Sequence, residues 1–467
     1  MSKRSQQFIS VFKRILPSPF TIAVLLTVLT VLLALFLTRP ANESHGEYLV
    51  YLFSSWEEGL WDDSAGGLYF AFQMMLILVL GHVLALTGPV DRLIRALLVY
   101  CRNTASSVFV VATGAIVMGL FNWGLGLIFG AILARKVGEK FAYQKKAINY
   151  GLVGAAAYST MMVWHGGLSG SATTKVMEEG YIPEMMERMG GMGNYPSNVP
   201  FEATIGSGMN ILVAVLCIVI IPLFLLFIAK KSGTGFVPKF SKQFGKKAED
   251  PVGKVRGAER LDYSKFVGTV LGLGILALVI FRAIDYQGQS SLGFINLNFI
   301  NLSLLGLSIF FHRSINNFIN AVQVSIGDIS GILIQFPLYF GILGIMKSSG
   351  LITLFSDSII AVATDYTLPV YTFISAGVVN FFVPSGGGQW AIQGPILIEA
   401  AKELNADLPK TILAMSYGDQ LTNMLQPFWA LPLLGITKLK PYQILPYTFL
   451  LFVLGVILFG GVLLIWG

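Results

Sequence analysis

Two short runs carry side chains able to do chemistry inside otherwise apolar sequence. The first is Val383-Pro-Ser-Gly-Gly-Gly-Gln-Trp-Ala-Ile-Gln-Gly-Pro395. Pro384 ends whatever helix precedes it. Gly386, Gly387 and Gly388 let backbone N–H groups point inward at a helix start, where they bind an anion without a formal positive charge. Ser385 and Gln389 can donate to a carboxylate, and Trp390 can wall off an apolar tail. A plain flexible turn is the bland reading, and the flanking Ser, Gln and Trp favour a site over it. The second run is Tyr417-Gly-Asp-Gln-Leu-Thr-Asn-Met-Leu-Gln-Pro-Phe-Trp429. Asp419 falls well inside a predicted span, where charge is costly and commonly functional. Asn423 follows on the same helical face. Pro427 frees carbonyls of the preceding turn, and freed carbonyls can coordinate a cation. Asp419, Asn423 and Asn380 are the expected cation-coupling residues, with Asp419 carrying a proton or facing sodium. A structural ion pair is the alternative.

The first half offers counterparts: Asn122, Trp123 and Gly124 at a break in an apolar run, then Ser159, Thr160, His165 and Ser169. His165 sits in Trp-His-Gly-Gly, an expected unwound helix end, and an imidazole can titrate near neutrality. Lone histidines are more often structural. Gln73 and Gln335 either bridge helices or touch ligand. No Lys or Arg falls mid-span, so a substrate with one negative charge fits better than a citrate-like one.

The elements that must position these residues are membrane helices. The chain has 467 residues, 54% hydrophobic and 12% charged, against about 25% charge in a soluble domain. Its apolar runs reach the roughly 20 residues that cross a bilayer and lack the ten-residue alternation of barrel strands. The net charge of +7 reads as basic cytoplasmic loops rather than nucleic-acid binding. Lys3, Arg4, Lys13 and Arg14 place the N-terminus inside. The acidic stretch 39–65, with Glu57, Glu58, Asp62 and Asp63, reads as an external loop, as does 168–204. The basic stretch 230–265, with Lys246, Lys247 and Arg256, reads as internal. The expectation is an all-α polytopic membrane protein of nine spans, including 147–167 and 411–434, plus two re-entrant hairpins at 104–134 and 367–401. The first hairpin follows from basic residues at both of its ends, Arg102 and then Arg135, Lys136 and Lys140, because about 30 residues are too few for two spans.

An internal repeat of opposite membrane orientation follows. Gln73 and Gly88 recur 262 positions later as Gln335 and Gly350. Phe121-Asn122 answers Asn380-Phe381, and Tyr150-Gly151 answers Tyr417-Gly418. The division is 1–229 for the first repeat, 230–293 for the loop and linking span, and 294–467 for the second. Inverted repeats with broken helices at the midplane are a plan of secondary transporters. An intramembrane enzyme lacks support, since no metalloprotease, nucleophile-elbow or nucleotide-loop motif is present. Cys101 and Cys217 suggest neither disulfide nor metal.

At these motifs the chain resembles the bacterial short-chain fatty acid transporters of the larger ion-transporter superfamily. Asn122-Trp-Gly-Leu-Gly-Leu, the run ending at Pro395 and the run from Tyr417 to Pro432 carry the likeness, which extends from Leu16 to the C-terminus. The resemblance implies uptake of monocarboxylates such as acetoacetate and butyrate across the inner membrane, coupled to Na+ or H+ and without a cofactor. It also implies an elevator-like transport domain, a lipid environment and a homodimer. Another organic anion, a dicarboxylate or amino acid, is the alternative substrate. The family pattern has His where Gln389 stands and Glu where Asp419 stands, so this chain keeps the charge and changes the neighbour.

Overall fold

Continuous apolar length comes first. In the computed structural model, residues 19–61, 67–188, 194–232, 235–240, 257–286, 294, 297–382, 384, 386–426 and 429–466 are described. Among them, five helices are long and apolar enough to cross a membrane: Phe20–Leu37, Thr104–Phe121, Gly208–Lys231, Lys265–Ile284 and Pro441–Ile465. Lys3, Arg4, Lys13, Arg14, Asp62, Asp63, Lys246, Lys247, Arg256, Ser385, Pro427 and the side chain of Gln335 lie outside the described residues.

Helices α1 (Pro19–Leu37), α2 (His45–Trp61) and α3 (Gly67–Ala85) come first. Then α4 (Thr104–Phe121) and α5 (Trp123–Tyr143) form a helical hairpin broken at Asn122. α6 (Tyr150–Tyr158) passes into a 3-10 turn, Ser159–Met162, and then into irregular backbone before α7 (Ser171–Lys175) and α8 (Gly208–Lys231). α9 (Lys265–Ile284), α10 (Leu297–His312) and α11 (Ser330–Ser348) follow, and α12 (Leu368–Phe382) and α13 (Gly386–Glu403) form the second hairpin. α14 (Leu408–Thr422) runs into a 3-10 turn, Asn423–Leu425, and α15 (Leu431–Thr437) and α16 (Pro441–Ile465) end the chain.

Two packing groups result. In one, α2 lies on α11 so closely that a methyl group on Gly59 would sit 2.6 Å from the Phe340 carbonyl. α9 meets α10 at Gly272, and α3 is tied to α10 by Gln73 Nε2 donating to Asn298 Oδ1 at 2.7 Å. Gln73 therefore bridges helices, as buried amides do in lipid. The other group gathers both hairpins around α6 and α14, flanked by α8 and α16.

Several expectations are corrected. The stretch 39–65 holds α2, whose Leu52, Ser55 and Gly59 are buried while Glu57 and Glu58 sit on the other face. The first hairpin runs beyond 134 to Tyr143, because Arg135 belongs inside α5. It is only 4% exposed, bonds Glu139 at 2.9 Å and lies 3.9 Å over the Phe240 ring, which shelters its charge. Of the hairpin's two arms, α4 is long and apolar enough to cross a membrane, while α5 is longer and carries Arg135, Lys136, Glu139 and Lys140. The expected spans 147–167 and 411–434 are both interrupted, at Ser159 and Asn423. The stretch 168–204 carries α7 and packs on α13 through Val176, Ile182 and Val199.

Candidate functional site

The first break is built from Asn122. Its extended backbone ends α4, and its side chain accepts from Leu125 N at 3.1 Å to cap α5. Trp123 N–H donates to Ser169 Oγ at 3.0 Å, tying the break to the irregular turn after α6. Thr160 fills the narrow gap between Gly119 and Gly126. Gly124 faces Ile77 of α3.

The second hairpin is held by amides. Gln389 Nε2 donates to Ala376 O and to Gln393 Oε1, each at 2.9 Å, and Gln393 Nε2 donates to Ser375 Oγ at 2.8 Å. Gln389 thus donates across the hairpin to Ala376 and along its own helix to Gln393. Trp390 is buried in a separate cluster with Val176, Ile182, Ile412 and Met415. Gly386–Gly388 form the first turn of α13, so the break precedes the glycines.

The two broken helices cross-brace each other. Gln420 Oε1 accepts from His165 N at 2.9 Å and Gly166 N at 3.3 Å, satisfying backbone that the unwound turn leaves open. Tyr158 donates to Asn423 O at 2.9 Å. Asn380 Nδ2 reaches Asp419 O at 2.7 Å, Thr422 Oγ1 at 2.9 Å and Asn423 Oδ1 at 3.0 Å. Asn380 and Asn423 therefore hold the backbone where α14 is interrupted. Tyr417 donates to Asn210 Oδ1 at 2.9 Å, and Asn210 Nδ2 donates to Gly166 O at 2.8 Å. A small pocket, with room for about 10 Å³, lies here, lined by Leu120, Val163, Gly166, Asn210, Tyr417 and Gln420, among others.

At the centre, His165 Nδ1 lies 2.5 Å from Asp419 Oδ2, with side chains 0% and 1% exposed. The contact is off the ring N–H direction, and neither Asp419 oxygen has a hydrogen bond among the described residues. A methyl group on Gly386 would lie 2.7 Å from the Trp164 ring, 2.9 Å from Asp419 Oδ2 and 3.1 Å from His165 Cε1. The start of α13 thus abuts the acid directly. Trp164 stacks on His165 at 4.4 Å, and Trp123 and Trp429 complete an aromatic cluster, 5.1 Å apart edge to face. Among the described residues no group of His, Cys, Asp and Glu is arranged to hold a metal ion. Gln420, Asn210, Tyr158 and Trp429 were not singled out as ligand-site residues from sequence. Gln420 stands beside Asp419 in a marked motif, whereas nothing local marks Asn210.

Apolar helices that turn their charged and amide side chains inward, around two interrupted helices, define a multi-pass membrane transporter. The family described as short chain fatty acid transporter matches residues 1–466, and the chain belongs to that family. The family is one of transporters, and the chain is not an enzyme. A relative from Escherichia coli (strain K12), named for short-chain fatty acid transport, is 35% identical over 479 positions, covering 100% of this chain and 99% of that protein. One from Haemophilus influenzae, of the same name, is 33% identical over 473 positions, covering 98% and 99%. The crystal structure of the Alcanivorax borkumensis YdaH transporter overlays with a TM-score of 0.45 at 16% identity, covering 96% of this chain and 98% of that one. A likeness of that degree fixes neither fold detail nor function.

Proposed function

We propose that this chain is a secondary active importer of short-chain monocarboxylates, such as acetoacetate or butyrate, across the bacterial inner membrane, coupled to a cation gradient through Asp419. The observation that carries this reading is the buried Asp419 carboxylate set against the start of α13 at Gly386, beside the Trp164–His165 stack. N–H groups at Gly386 and Gly387 would receive the substrate carboxylate, and the aromatic cluster of Trp123, Trp164 and Trp429 would face its short apolar tail. Arg135 supports a singly charged substrate by its position. It lies twelve residues along α5 from Trp123, about 18 Å at a helical rise, and is bonded to Glu139.

In this reading the chain consists of inverted repeats, 1–229 and 294–467, with the N-terminus cytoplasmic and the hairpins re-entrant. The group containing both hairpins is the moving body, sliding in elevator fashion against the group built on α2, α10 and α11. A homodimer through the latter group would fit such a motion.

The test is uptake of labelled butyrate into proteoliposomes under a sodium or a proton gradient imposed separately, measured against protein-free vesicles because butyric acid also permeates lipid. Accumulation above the protein-free control under one gradient supports the proposal. Equal uptake with and without folded protein, under both gradients, would sink it.

A further inference from the structure

Exposed basic side chains collect at one end of the group that holds the hairpins. Asn149, just before α6, ties element ends together there. Its backbone N–H donates to Thr104 Oγ1 at the start of α4, at 3.2 Å, and its Nδ2 donates to Ser232 Oγ just past α8, also at 3.2 Å. α5 comes to the same end, where Lys140 Nζ donates to Leu98 O at 2.5 Å and to Cys101 O at 2.8 Å. These carbonyls close a helix, Gly88–Tyr100, that carries the chain from α3 in one packing group to α4 in the other. A cation on the last carbonyls of a helix is favourable, and here it fastens that helix to the first hairpin.

Arg92, Arg102, Lys145, Lys146 and Lys230 are exposed around this end, and none of them pairs with an acid among the described residues. The acids of the stretches 88–103, 135–150 and 228–232 are Asp91 and Glu139. Both are taken, Asp91 by Arg95 and Glu139 by Arg135. The face is therefore positive without local compensation.

The helix Gly88–Tyr100 adds a second feature. Ile94 is buried, while two neighbouring stripes face outward. Leu93, Ala96 and Tyr100 share the spacing of one helical face and are apolar, and Arg92 and Arg95 run beside them. Leu93 is 56% and Tyr100 64% exposed. Three residues separate this helix from α4, which is long and apolar enough to cross a membrane and is capped by Asn103 accepting from Ser106 N at 2.9 Å. A helix at the mouth of a membrane span sits at the level of the lipid headgroups. One that exposes an apolar stripe beside a basic one lies in that layer, with its apolar side toward the acyl chains and its bases toward the phosphates. A free anion or an acidic soluble protein would leave the apolar stripe uncovered, whereas an anionic phospholipid covers both stripes.

From this charge complementarity we propose that the exposed face of Gly88–Tyr100, together with Arg102 and the neighbouring lysines, is a docking surface for anionic phospholipids. The lipid phosphate meets Arg92 and Arg102, and the acyl chains meet Leu93 and Tyr100. Because this helix links the two packing groups, bound lipid holds the link in the headgroup layer. The assignment is independent of the transported substrate.

The test is native mass spectrometry of the purified full-length protein in detergent, offered phosphatidylglycerol or phosphatidylcholine of the same chain length. Phosphatidylglycerol should bind in preference. In the double variant Arg92→Gln/Arg102→Gln its affinity should drop about thirtyfold, from the loss of two charges beside anionic lipid, with phosphatidylcholine binding unchanged. Arg92→Lys/Arg102→Lys keeps the charge and should keep the preference. Both arginines are exposed and unpaired among the described residues, so each variant should melt within a few degrees of the unaltered protein. Equal affinity for the two lipids, or phosphatidylglycerol affinity unchanged in the double glutamine variant, would overturn the assignment. Displacement of the lipid by soluble glycerol phosphate would overturn it too, because the face would then be a site for a free anion.

Discussion

The two helix breaks look alike in sequence and differ in what they leave unsatisfied. At the first, Asn122 caps α5, Trp123 N–H is taken by Ser169, and Leu168 N donates to Leu120 O at 2.8 Å. At the second, Gln389 and Gln393 lock the two arms together, yet the start of α13 looks onto a carboxylate with no hydrogen bond among the described residues. Leaving a buried carboxyl group without a partner is expensive, and such expense is tolerated where a ligand or ion relieves it. In the proposed carrier the first break is therefore a wall and the second the working surface.

Substitutions that separate the two breaks should rank as follows. Gly126→Ala would set a methyl group 2.6 Å from the backbone of Gly119 and 2.4 Å from Thr160 Oγ1. The α4–α5 packing must then open, at about 3 kcal/mol, and the expected outcome is loss of folded protein in a detergent melting assay. Gly386→Ala meets the side-chain ends of Trp164, Asp419 and His165 and no backbone atom among its nearest neighbours. It should keep the melting temperature within a few degrees while cutting butyrate uptake about tenfold, equivalent to about 1.4 kcal/mol in the transition state. A collapse in stability with normal uptake among the surviving molecules would reverse the roles assigned to the two breaks. Tyr158→Phe removes the donor to Asn423 O and should cost about 1 kcal/mol of stability, read as a modest drop in melting temperature. Gly387→Ala has ordinary space, with its nearest neighbour at 3.9 Å, and keeps the backbone N–H. Stability should stay within about 0.5 kcal/mol and uptake within twofold, which makes it the control for its neighbour.

Sequence showed where the chain breaks and less of what the breaks do. Asn122 and the Pro384–Gly388 run stand out because Asn, Pro and Gly punctuate apolar helices. Asp419 stands out because charge inside a span is rare. The pairing of Asp419 with His165 was not legible, since it depends on the irregular turn after α6 meeting α14, a contact between elements far apart in the chain. The packing of Trp390 against Val176, Ile182 and Met415 was not legible because a motif fixes neighbours in sequence and not the direction of a side chain. Arg135 misled the boundary of the first hairpin because a basic residue was read as solvated when Glu139 and Phe240 cover it. α2 was missed because Glu57 and Glu58 mark one face, while the periodic Leu52, Ser55 and Gly59 mark the other.

The most direct measurement compares gradient-driven accumulation with exchange in Asp419→Asn. Proteoliposomes preloaded with unlabelled butyrate are offered labelled butyrate, and a second batch is offered the same label under an inward proton gradient, each corrected for protein-free vesicles. If Asp419 is the coupling residue, the variant exchanges label but no longer accumulates it in response to the gradient. Accumulation by the variant equal to that of the unaltered protein would contradict the account.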